Sequence, residues 1–128
     1  MSAQNSFDYA VIRVVPRVER EEFVNAGIIV FCLERNFLGA RVKVDAERLK
    51  ALWPEIDVEL VRQHLQAFPK VSAGDLLAGP IAQLSVRERF HWLVSPRSTM
   101  IQVSPVHSGI CGADPQEALD RLFKRLTC

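Results

Sequence analysis

Two stretches near the start of the chain, residues 9–15 and 28–33, are apolar on both faces between which a β-strand alternates. In the first, Tyr9, Val11, Arg13 and Val15 point one way and Ala10, Ile12 and Val14 the other, and Pro16 closes the run. A strand with two apolar faces needs a layer of structure on each, so this one is expected at the centre of a sheet and covered on both sides. The second run opens after Gly27. Glu34-Arg35-Asn36 then makes a turn into a third strand over residues 37–44, and so short a link implies an antiparallel hairpin. In that third strand Leu38, Ala40, Val42 and Val44 alternate with Gly39, Arg41 and Lys43, so one face is expected to be buried and the other wet.

Helical spacing takes over next. Asp45 is placed to cap a short helix carrying Leu49, Leu52 and Trp53, ended by Pro54. Asp57 is placed to cap another through Val58, Val61, Leu65 and Phe68, ended by Pro69. Residues 70–80, with Gly74, Gly79 and Pro80, read as a loop. Ser85-Val86-Arg87-Glu88 has the form of a capping box before Phe90 and Leu93, which predicts a third short helix; a strand over residues 90–95 is the alternative. A turn over residues 95–99 leads to a fourth strand at 100–104, and residues 105–113 read as a loop. Asp114-Pro115-Gln116-Glu117 combines a cap, a first-turn proline and a capping carboxylate ahead of Leu119, Leu122, Phe123 and Leu126, which predicts a final amphipathic helix.

Strands followed by helices, then a strand and a helix, give an α+β class: a mainly antiparallel sheet of about four strands with three to four helices packed on one side. Regular strand–helix alternation is missing, which argues against a doubly wound nucleotide-binding fold. The 128 residues suit one globular domain over 1–128 that buries roughly two-thirds of its unfolded surface.

Sixteen Lys and Arg against fifteen Asp and Glu leave a net charge of +1, with the signs interspersed. Non-specific binding to nucleic acid or anionic membrane draws on dense positive charge, so neither is expected. The polar start is no signal peptide, and the longest apolar run, residues 26–33, is too short to cross a bilayer. Three cysteines without a pairing motif suit a cytoplasmic protein with reduced thiols; Cys32 reads as core, Cys111 as loop and Cys128 as the last residue.

His64, His91 and His107 are scattered and no cysteine pair has zinc spacing, so no metal or cofactor is expected, and His64 reads as a surface residue of its helix. Nucleophile elbows and phosphate loops are missing, and Gly109-Ile110-Cys111-Gly112 reads as a plain turn. No catalytic residue is assigned, and the chain leans away from an enzyme.

The polar cluster with most to say surrounds the charged segment 17–25. Arg13 lies in an apolar strand, where a guanidinium needs a partner; Glu22, or else Glu19 or Glu21, is expected to supply it, Glu22 first among them. Asn25 offers an amide and tolerates a left-handed backbone at the entry to the next strand. Two readings stand: a structural salt bridge with a turn, or a polar binding site built from Arg13, Arg17, Arg20, Glu22 and Asn25. A second cluster, Ser95, Arg97, Ser98 and Thr99, makes either an ordinary turn or a seat for a phosphate or carboxylate.

Residues 9–16, Glu22-Phe23-Val24-Asn25-Ala26-Gly27, residues 95–102 and the Asp114-Pro115 helix together resemble a bacterial family known as domain of unknown function 3037. The similarity spans nearly the whole chain. The family's Glu-Phe-Val-Asn-x-Gly pattern falls on Glu22, Phe23, Val24, Asn25 and Gly27. The resemblance implies a short bacterial cytoplasmic protein with no established activity or catalytic residues. It also implies a protein partner in some members, a neighbouring kinase related to the persistence-toxin kinases. The leading functional expectation is thus a non-catalytic protein-interaction module. The alternative is a phosphate- or nucleic-acid-handling protein, enzymatic or not, using Arg13, Arg17, Glu22 and Arg97. Assembly stays open, a homo-oligomer included.

Overall fold

A computed structural model describes residues 5–111 and 114–127. Strand β1 spans Asn5–Val14, β2 Val24–Cys32 and β3 Phe37–Val42. Helices α1 (Ala46–Leu52), α2 (Val58–Leu65), α3 (Ala67–Ala73) and α4 (Val86–Leu93) follow. Strands β4 (Ile101–Val103) and β5 (His107–Cys111) precede the closing helix α5 (Pro115–Thr127). The class is α+β, with a five-stranded antiparallel sheet. β3, β2 and β1 lie side by side, and β4 and β5 share the far edge of β1.

The two-faced runs do what their pattern demands. On one side of the sheet Ile12, Val14, Ile29 and Phe31 pack with Leu49, Leu65, Phe68, Val71, Phe90 and Leu93 from α1 to α4. On the other, Phe7, Val11, Ile28, Val30 and Cys32 pack with Ala118, Leu119, Leu122 and Phe123 of α5. Helices therefore cover both faces, not one. The expectation of a single helical side fails because α5 takes the second face, and with it the side of β3 expected to be wet. Phe37 packs in the α5 cluster, and Arg41 lies over the Phe123 ring at 4.2 Å while binding Asp120 at 3.0 Å.

Local chemistry sets the helix boundaries. Asp45 and Asp57 accept the backbone N–H of Arg48 and Leu60, and Ser85 and Glu88 form a reciprocal capping box. Residues 90–93 are accordingly helical rather than strand. Pro69 does not end a helix. It sits in the first turn of α3, where its missing N–H has no intrahelical duty, so residues 70–73, expected as loop, continue the helix to Gly74. The rest of that stretch folds into two 3-10 turns, Leu76–Ala78 and Pro80–Gln83. Residues 107–111, expected as loop, form the edge strand β5. His107, Ser108 and Ile110 are exposed there, which left no burial pattern to read. Gly112 and Cys128 lie outside the described residues. Cys32 is buried and His64 exposed, as expected.

β2 starts at Val24, three residues before the expected Gly27, and its pairing with β1 slips by one residue beside Ile12. Ile12 faces Gly27 while Arg13 faces Asn25, so Ala26 is the extra residue of a β-bulge. Gly27 is required there by close approach. An added Cβ would collide with the Arg41 backbone oxygen and meet Ile12 Cδ1 at 3.0 Å. Gly27→Ala should lower the free energy of unfolding by about 1–3 kcal/mol, as overpacking does, measured by urea denaturation.

Candidate functional site

Arg13 follows Val11 on the α5 face of β1, next to the bulge, with Asn25 of β2 on one side and Gln102 of β4 on the other. Asn25 is committed to the fold: its Nδ2 donates to the Leu126 carbonyl, at 3.1 Å, in the last turn of α5. That bond satisfies a carbonyl that the helix itself leaves open.

No carboxylate pairs with Arg13 among the described residues. The expected partner, Glu22, is taken by Arg20, whose Nε lies 2.6 Å from it, and Arg17 likewise binds Glu19 at 2.9 Å. The Arg20 hydrogen bond draws the Glu22 carboxyl below its ordinary pKa. Glu19 is lowered by its own backbone and then by Arg17. Both pairs join residues two apart at the two ends of the exposed turn Val18–Arg20, so they form with little chain to order. Such exposed pairs contribute little to stability.

The Arg13 guanidinium lies instead on the ring of Phe23, 4.3 Å from its centroid. Its Nε is buried and makes no hydrogen bond. Stacking on Phe23 offsets part of the cost of holding a cation here, about 0.5–2 kcal/mol by the usual range. The fork carried on this ring has the geometry that recognises oxyanions.

Arg13 forms one wall of a hollow of about 410 Å3. The turn before β2 supplies Val18, Glu21 and Phe23, and the loop before β4 supplies Arg97 and Ser98. The left-handed backbone expected at Asn25 falls on Glu21, at φ 59°, where the 3-10 turn reverses into β2.

Arg97 reaches this place by ending α4. Its Nη1 donates to the Leu93 and Ser95 carbonyls at 2.6 and 3.1 Å, and its Nη2 to Trp92 at 3.3 Å. A cation at a helix C-terminus also complements the helix dipole. The guanidinium lies between the Phe68 and Trp92 rings, and its burial lowers its pKa. Three of its five N–H groups are thus engaged, leaving two without a partner in the described chain. Gln102 holds the loop by donating to the Thr99 carbonyl at 2.9 Å.

The fold therefore brings Arg13, Arg97 and Ser98 together from the two sequence clusters and leaves the other residues outside. Arg17, Arg20 and Glu22 belong to the exposed ion pairs, and Asn25 is bound to α5. Ser95 donates to the His91 carbonyl, and Thr99 faces a neighbouring hollow beside His64. Phe23 and Gln102 are not among the expected site residues, and Glu21 enters the expectation only as an alternative acid for Arg13. A phenylalanine inside a charged run is the available signal for the first; Gln102 needs the strand register, and the place of Glu21 in the hollow needs the turn geometry.

Among the described residues, no cluster of His, Cys, Asp or Glu is arranged to hold a metal, and no helix is long and apolar enough to cross a membrane. The family model described as protein of unknown function, DUF3037, matches residues 9–127, nearly the whole chain. No curated protein and no solved structure matches it significantly.

If Arg13 is held unpaired at a cost, an apolar side chain of similar length should be tolerated there. Arg13→Met, which can keep a contact with Phe23, should leave the midpoint of thermal unfolding unchanged or raised. A loss above about 1 kcal/mol would mark Arg13 as structural.

Proposed function

The chain belongs to the family of proteins of unknown function DUF3037, and we propose that it acts as a non-catalytic protein-interaction module whose Arg13 pocket receives a carboxylate of its partner. The observation that carries this reading is the Arg13 guanidinium, lining a hollow, stacked on an aromatic ring and without a hydrogen bond or acid partner in the described chain. Such a group gains more from an incoming oxyanion than a solvated one does, because part of its desolvation is already met. Phe23 is 46% exposed beside it, and an exposed aromatic with a stacked arginine is the composition of an interface hot spot.

Charge selects the class of anion. Arg13 and Arg97 stand against Glu21, a net of one positive charge in the wall, which suits a single carboxylate. A phosphate carrying about −1.5 to −2 charges would meet Glu21 at close quarters. Phosphate or nucleic-acid handling is the second reading, favoured by the exposed Ser98 beside two arginines. It loses Arg17 and Glu22, which lie in their own ion pairs. A kinase-like neighbour, the partner class that the family resemblance implies, is one protein able to present the acid.

Titration of the 15N-labelled protein with N-acetylglutamate methylamide and, separately, with inorganic phosphate tests this directly. The carboxylate should shift the amides of residues 13, 98 and 102 at millimolar concentration, and Arg13→Met should abolish the response. Tighter binding of phosphate at the same amides would move the protein to the second reading. Silence with both anions would overturn both.

A further inference from the structure

Phe23 lines a second hollow as well as the first. With Val24 and Asn25 it faces Arg48, Ala51 and Leu52 of α1 across a space of about 410 Å3. The two hollows differ in chemistry. Around the first stand two arginines, a glutamate and Ser98. In the second the aliphatic groups Val24, Ala51 and Leu52 dominate, and its one cation, Arg48, is paired with Asp45 at 3.7 Å. One exposed ring thus borders both a site for an acid and a site for an aliphatic side chain.

We infer that the ligand of this surface is a segment of another protein that carries an acidic side chain close in sequence to an aliphatic one, the two straddling Phe23. This rests on the reading of the Arg13 pocket as a carboxylate site and adds the second half of the recognition. Charge complementarity commits the first hollow to an acid, since its two arginines outnumber Glu21 and no carboxylate pairs with Arg13 among the described residues. Covering the exposed Phe23 ring and the apolar floor beside it is what the aliphatic side chain contributes. The chain itself displays the same chemistry at Asp75-Leu76-Leu77, where the two leucines are 78% and 95% exposed. A second copy is therefore the competing occupant.

Fluorescein-labelled peptides with Glu and Leu joined by short glycine spacers, in both orders, distinguish these cases by anisotropy. The best Glu–Leu peptide should bind about tenfold more tightly than its Leu→Ala counterpart, the worth of burying one leucine. Ala51 is exposed on α1, and Ala51→Gln should fill the second hollow and erase that tenfold difference while leaving the Glu–Ala peptide unaffected. Equal binding of the Glu–Leu and Glu–Ala peptides, both lost in Arg13→Met, would overturn this inference and leave the carboxylate site standing. Undiminished binding of all peptides to Arg13→Met would overturn the carboxylate site itself. Self-association seen by light scattering and removed by Leu77→Asp would make the occupant a second copy and overturn the partner named here.

Discussion

The pairing of β1 with β2 is the constraint from which the rest of the structure follows. Their paired strands bury Ile12, Val14, Ile29 and Phe31 toward α1–α4 and Phe7, Val11, Ile28 and Val30 toward α5. Neither face can be left to water, since each buried side chain of this size is worth about 1.5–3 kcal/mol. The four short helices α1–α4 and the long α5 are two different solutions to the same demand. The first layer is assembled from capped pieces, each anchored by one or two core residues. The second is a single amphipathic helix.

The pattern is also what made the fold legible. Capping residues Asp45, Asp57, Ser85 and the Asp114-Pro115 start announce their helices because a cap is a local event, settled within four residues. Burial on both faces of β1 and β2 is visible because it repeats along the strand. Features that failed depend on distant partners. The edge strand β5 pairs with β1 through backbone groups and exposes His107, Ser108 and Ile110 in turn, so no burial alternation can be read there. By sequence Pro69 reads as a stop because proline usually is one; in a first turn it is a start, and which of the two applies depends on where the preceding helix ends. That α5 covers the second face of β3 is a tertiary fact with no local signature.

For the candidate site the division is similar. That Arg13 is out of place in its strand, and that Arg97 and Ser98 belong to a polar loop cluster, could be read from composition and context. What Arg13 pairs with could not. The expectation of Glu22 followed from the cost of an unpaired cation, and that cost is real. It is overridden because Arg20 lies two residues from Glu22 and captures it without closing a loop. The bulge at Ala26 then sets Asn25, already tied to α5, opposite Arg13. Local ion pairs and a register shift together deprive the arginine of the partner that sequence reasoning assigns it.

An arginine in this position could have been answered by folding alone. Glu21 lines the same hollow and forms no ion pair among the described residues, yet the acid and the guanidinium remain apart. The side chain is not loose, either, because the guanidinium rests 4.3 Å from the centre of the Phe23 ring and Arg97 is pinned to the end of α4. A cation resting on a ring, partly stripped of water and not neutralised is preorganised for binding: the entropy of ordering it is spent in folding and need not be spent again when a ligand arrives. Removing such a group tends to raise stability and remove function, whereas a structural arginine does the reverse. The two behaviours have opposite signs, so one substitution separates them.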